Sequence, residues 1–204
     1  MTAGLVLALI GFALAMSITP GPNNTMLLAS GVNFGFRRTV PHMLGITVGC
    51  ISMLLLVGLG LGGLFAAYPT VYETLRYAGA AYLLVLAWRI ARSGPPKSGG
   101  LAGRPMPAWQ AVAFQYVNPK AWMMAVGAVT TYAPPEGFVR NITIVALVFA
   151  VVNLTAITFW AGFGAVLRGW LDRPARVRAF NVAMALLLVL SLYPLLEGLG
   201  SVEN

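Results

Sequence analysis

The sequence predicts an all-α integral membrane protein: six transmembrane helices, arranged as two inverted three-helix repeats with proline-broken helices one and four. Three observations carry this reading. Hydrophobic residues make up 59% of the chain and charged ones 9%, where a soluble domain has about 25% charged, so water could not solvate the surface. Apolar stretches recur along the whole length, and a helical crossing needs about 20 apolar residues. Two of these stretches are interrupted by proline, at Thr19-Pro20-Gly21-Pro22 and at Asn118-Pro119, and proline lacks the N–H that an unbroken helix requires.

Ala3 to Ile18 is short for a crossing, so span one borrows Thr25 to Phe36 beyond its break and leaves at Arg37-Arg38. Residues 1–18 lack the basic start of a signal peptide, and the apolar pattern resumes after the prolines, so this span is expected to be retained. Pro22 followed by Asn23 and Asn24 suits a helix start. In hydrocarbon a broken backbone is tolerated only where protein or a water-filled cavity lines it. The second half-helix is therefore expected to aim its positive end at something near the bilayer centre. Thr19, Pro20, Gly21, Pro22, Asn23 and Asn24 become half of a candidate transport site.

Span two runs from about Val40 to Phe65 and is rich in glycine. Gly45/Gly49 and Gly58/Gly62 have GxxxG spacing, which permits close helix contact and so a homodimer, without requiring one. Span three covers about Val71 to Ile90, and the polar connection Arg92 to Pro107 follows. Spans four, five and six cover about Ala108 to Tyr132, Asn141 to Leu167 and Ala179 to Leu196. Residues 1–204 thus form a single polytopic membrane domain, with repeat one at 1–92, a cytoplasmic loop at 92–107 and repeat two at 108–204. An odd number of spans per half puts the second repeat upside down, and breaks at matching positions point to a transporter site at the midplane.

Charge orients the bundle. The loops after spans one, three and five hold Arg37, Arg38, Arg92, Lys97, Arg104, Arg168, Arg173, Arg176 and Arg178, while those after spans two and four hold mainly Glu73 and Glu136. The positive-inside rule places the basic loops in the cytoplasm and both termini outside. The net charge of +8 gathers into no patch with interleaved aromatics, so no nucleic-acid partner is expected. The basic residues read instead as orientation signals and contacts to anionic membrane lipid. Trp88, Trp109 and Trp170 fall near span ends, as an aromatic belt requires.

The second half of the site centres on Asn118, Pro119 and Lys120. A span starting after Lys120 would leave only Ala121 to Tyr132, about 18 Å of helix, against a core of about 30 Å. Lys120 therefore lies near mid-membrane, where a lysine costs at least about 2.5 kcal/mol and faces a partner or water. The bland alternative is a lysine snorkelling above a tilted helix. Asn23, Asn24, Asn118 and Asn153 are amides that both donate and accept, suited to an ammonium and a carboxylate; the alternative is that they only bond helix to helix. Thr155 and Thr158 are read as bonding their own helix. His42 falls at the cytoplasmic end of span two and is read as interfacial, with proton handling as its other use.

Absences narrow the chemistry. Glu73, Glu136, Asp172, Glu197 and Glu203 all fall in loops or at span ends, so a cationic substrate has no buried counter-charge. Two helix N-termini and a lysine suit an α-carboxylate, favouring a zwitterionic or anionic ligand. Proton coupling, if present, falls to Lys120, His42 or the substrate itself. Cys50 is the only cysteine, which excludes disulfides and CxxC redox chemistry. With one histidine as well, the chain offers no nucleophile–base pair and no metal set, so no cofactor, no metal and no enzymatic activity are expected.

Thr19-Pro20-Gly21-Pro22-Asn23-Asn24, Gly35-Phe36-Arg37-Arg38 and Val117-Asn118-Pro119-Lys120 resemble the LysE-type amino-acid exporters, the lysine and homoserine/threonine exporter group. Ala78-Gly79-Ala80-Ala81-Tyr82, Leu86-Ala87-Trp88-Arg89-Ile90 and the Asn181-to-Leu190 stretch look most like its cysteine/O-acetylserine branch. The resemblance implies a bacterial inner-membrane exporter of a small neutral amino acid or derivative, such as cysteine, O-acetylserine, threonine or homoserine, driven by the proton gradient. A passive channel and an exporter of cationic amino acids are the alternatives, with a membrane enzyme behind them. Pro119 is not required of that branch, which leaves the substrate open.

Overall fold

The computed structural model describes residues 1–61, 67–92, 104–171 and 173–192. Among them the chain forms eight α-helices and no strand. They are α1 (Ala3–Ile18), α2 (Pro22–Phe34), α3 (Phe36–Leu56, extended by a π-helical turn Val57–Leu61), α4 (Pro69–Ala91), α5 (Ala108–Val117), α6 (Pro119–Tyr132), α7 (Phe138–Trp170) and α8 (Pro174–Leu190). Each half therefore has the same order: two short helices about a proline break, then two longer ones. Lys97, Gly62, Asp172, Glu197, Glu203 and the expected end of span six at Leu196 lie outside the described residues.

The proline breaks fall where the sequence places them. Pro22 and Pro119 each open a helix, the position where a missing N–H costs nothing. The residues before them, Gly21 (φ −178°, ψ 179°) and Asn118 (φ −90°, ψ 109°), are extended, as a following proline demands. α1 and α2 are bent by 55° across the first break. By length and mean hydropathy, α3 with its π turn and α7 can each cross a membrane, and the bent pair α1–α2 makes a third. The remaining helices are shorter or less apolar, and the second break divides span four into pieces of 10 and 14 residues.

α2 is the centre of the bundle. Nearly all of it is buried, from Pro22 to Asn33 with Asn23 half-buried. It packs most extensively on α7, where Gly31 and Gly164 bring the two backbones together. α1, by contrast, fully buries only a stripe of Leu9, Ala13 and Ser17, and the rest is half-buried or exposed. One apolar cluster joins α1, α3, α6 and α7 around Leu9, Met53, Ala128 and Phe149. A second joins α2, α4, α5 and α8 around Met26, Leu83, Phe114 and Leu188.

Two expectations need correction. Span two begins at Phe36 rather than Val40, because Gly35 takes a positive φ of 81° and turns the chain from α2 into α3 in one residue. His42 thus lies well inside α3 and is 2% exposed, not interfacial. Gly45 and Gly49 face α5 of the same chain, against Ala108, Ala111, Val112 and Gln115. Their close-contact spacing serves internal packing, and it lends no support to a homodimer.

Candidate functional site

A helix that stops inside the bundle leaves its last carbonyls without partners, and the first break meets this need from two directions. Asn24, one turn into α2, reaches back and donates from Nδ2 to Ser17 O (2.7 Å) and Thr19 O (2.9 Å). Lys120, from the second half of the chain, donates from Nζ to Thr19 O (2.7 Å) and Pro20 O (3.4 Å). A cation at the negative end of α1 is also favoured by the helix dipole. The lysine stem lies directly over Gly21: a Cβ there would stand 2.9 Å from Lys120 Cδ and 3.1 Å from Nζ. Glycine is what lets Lys120 in.

The second break is capped locally. Asn118 Oδ1 accepts from the backbone N–H of Lys120 at 3.2 Å, which is ordinary N-cap geometry. A further bond links the halves. Asn23 Nδ2 donates to Gln115 Oε1 (2.8 Å), and Gln115 Nε2 donates back to Asn23 Oδ1 (3.2 Å). Gln115 is 1% exposed and also donates to Ala111 O.

Between the breaks lies a cavity of about 20 Å³, room for roughly one water. Of the residues expected at the site, Gly21, Asn23, Asn24, Asn118, Lys120 and Asn153 line it. Thr19 and Pro20 lend only backbone carbonyls to Lys120, and Pro22 and Pro119 serve as the first residues of their helices. Asn153, from the middle of α7, is buried and its Nδ2 has no partner; the same holds for Ser17 Oγ. Two buried polar groups without partners on one small cavity are costly unless something binds there. Among the described residues that line it none is acidic.

Gln115, Ser17 and Cys50 also line this cavity and were not among the residues expected at the site. Gln115 carried a usable signal, since a polar side chain within a predicted span is functional by default. Ser17 sits a few residues before the first break but looks like any small membrane-helix residue. Thr155 bonds its own helix at Val151 O, as expected. Trp88, Trp109 and Trp170 are all exposed, in keeping with a belt.

Proline-broken helices from both halves of the helical bundle meet at this small cavity, an arrangement found in membrane transporters. The sequence profile described as LysE type translocator matches residues 14–193. The chain belongs to the LysE-type translocator family, and it is a transporter on that ground. It is 34% identical over 191 residues to proteins named cysteine/O-acetylserine efflux protein in Escherichia coli strain K12, Escherichia coli O9:H4 strain HS and Shigella sonnei strain Ss046. In each case the match covers 93% of this chain and 96% of the relative. No solved structure matches the chain.

Proposed function

We propose that this protein is a secondary exporter of a small neutral amino acid or derivative, of the cysteine, O-acetylserine, threonine or homoserine kind. The observation that carries the reading is the cavity where both breaks meet, with Asn153 Nδ2 and Ser17 Oγ unpartnered on its wall and Lys120 beside it. Amides and a hydroxyl suit an ammonium and a carboxylate together. Glu73 and Glu136, the acids among the described residues, are exposed and do not line the cavity, so a cationic side chain would lack a counter-charge. Names carried by the relatives support the same substrate class.

At about 20 Å³ the cavity is closed around less than a substrate. Transport then requires it to widen first on one side and then on the other. In this reading α1–α4 and α5–α8 are inverted repeats spanning the bacterial inner membrane six times, with both termini periplasmic and the arginine-rich end in the cytoplasm. The halves rock about the breaks, remaking the Lys120–Thr19 and Asn23–Gln115 bonds in each cycle. The proton gradient drives export, and with no buried acid among the described residues the coupling falls to Lys120, His42 or the substrate.

The test is counterflow into proteoliposomes of purified protein with a panel of radiolabelled amino acids. Saturable exchange of cysteine or O-acetylserine is expected. A preference for lysine or arginine would overturn the neutral-substrate reading, and flux that never saturates would replace the carrier with a channel.

A further inference from the structure

A second and much larger cavity, of about 590 Å³, lies at the arginine-rich end, between α2, α3, α4 and the start of α5. Its charge is one-sided: among the described residues Arg89, Arg92 and Arg104 line it and no acidic residue does. Ser30, Asn33, His42 and Gln110 set polar groups into an otherwise largely apolar lining. His42 is 2% exposed, and neither ring nitrogen has a partner. A buried imidazole left unsatisfied on a cavity wall marks a place where a ligand or water completes the bonding.

Three helices line both cavities, and the steps between them are short. On α2, Asn23 faces the small cavity and Met26 the large one; on α3, Ile46 and His42 divide in the same way. Three or four residues of helix are about 5 Å. On α5 the pair is Gln115 and Gln110. The partition between the cavities is therefore about one helical turn thick, and the Asn23–Gln115 amide pair is part of it.

We propose that the large cavity is a second substrate subsite, an antechamber that holds a small zwitterion by its carboxylate before it passes the Asn23–Gln115 pair. The inference rests on the export reading above and extends it. Arg92 and Arg104 attract the carboxylate at the mouth, and His42, Ser30 and Gln110 solvate the solute within. A lipid headgroup could use the same arginines, but an acyl chain would leave the buried, unpartnered His42 ring unsatisfied, whereas a small polar solute can bond to it.

Vesicles of known orientation, carrying the full-length protein, test this with radiolabelled cysteine kept reduced. The Arg92→Gln/Arg104→Gln double variant and His42→Leu are each expected to raise KM for cysteine offered at the arginine-rich face by about tenfold, as loss of a charge-assisted or buried hydrogen bond does. KM at the opposite face stays as in the wild type, and His42→Gln recovers part of the loss. Unchanged KM in both variants, or an equal rise at both faces, overturns the antechamber. So does a wild-type KM that follows the anionic-lipid content of the vesicles while the double variant's does not, since the arginines then hold a headgroup. A wild type that exchanges no amino acid defeats the export reading itself and this inference with it.

Discussion

The two proline breaks present the same problem and are stabilised in different ways. The first opens three residues of backbone, Thr19 to Gly21, and its exposed carbonyls are answered by Asn24 from one side and by Lys120 from the other half of the chain. The second opens a single residue, Asn118, which caps the following helix with its own side chain. One break is held across the molecule and the other is held locally. Under the proposed rocking, a contact made across the two halves is available as a switch, whereas a local cap travels with its helix.

Lys120→Ala tests the difference most severely. It removes the cross-half partner of Thr19 and Pro20, so export is expected to fall to background while membrane insertion stays normal. Transport assays beside a membrane-fraction immunoblot would check both parts; near-normal export would remove Lys120 from the mechanism. Lys120→Arg is expected to rescue poorly, because the broad planar guanidinium must pass over Gly21 where the lysine stem already stands 2.9 Å from a hypothetical Cβ.

Asn24→Leu comes next. It deletes the two donors on the local side of the first break and leaves Ser17 O without this bond. The expected loss is about 2 kcal/mol of stability, read as a lower unfolding midpoint of the purified protein in detergent. Reduced stability with Lys120 still in place would show that the two supports act separately.

Much of this arrangement was legible in the sequence, and the reasons are physical. Proline imposes its geometry on the residue before it and on the helix after it, so Pro22 and Pro119 announced both breaks without any tertiary information. A lysine within an apolar span has few tolerable fates, which singled out Lys120. What it bonds to was not legible, because a backbone carbonyl a hundred residues away carries no side-chain signal. Asn23 and Asn24 are both ligand candidates by sequence, and packing separates the one that caps Ser17 and Thr19 from the one that pairs with Gln115. His42 was misplaced for a similar reason: span two starts earlier than hydropathy suggests, since Phe36-Arg37-Arg38 is helical despite its charges.

The smallest effect sharpens the comparison from the other side. Asn118→Ala removes the N-cap of α6 and is expected to cost about 1 kcal/mol, with Asn118→Ser recovering most of it, since serine caps about as well as asparagine. Unfolding in detergent would measure both variants against Asn24→Leu. The cavity also borders Asn118, so export can fall in both variants while stability falls only in the alanine one. That split would separate the side chain's two duties, capping the helix and facing the substrate. If Asn118→Ala destabilised as much as Asn24→Leu and serine restored nothing, the second break would depend on contacts across the halves just as the first does, and the contrast between a switching break and a travelling one would fail.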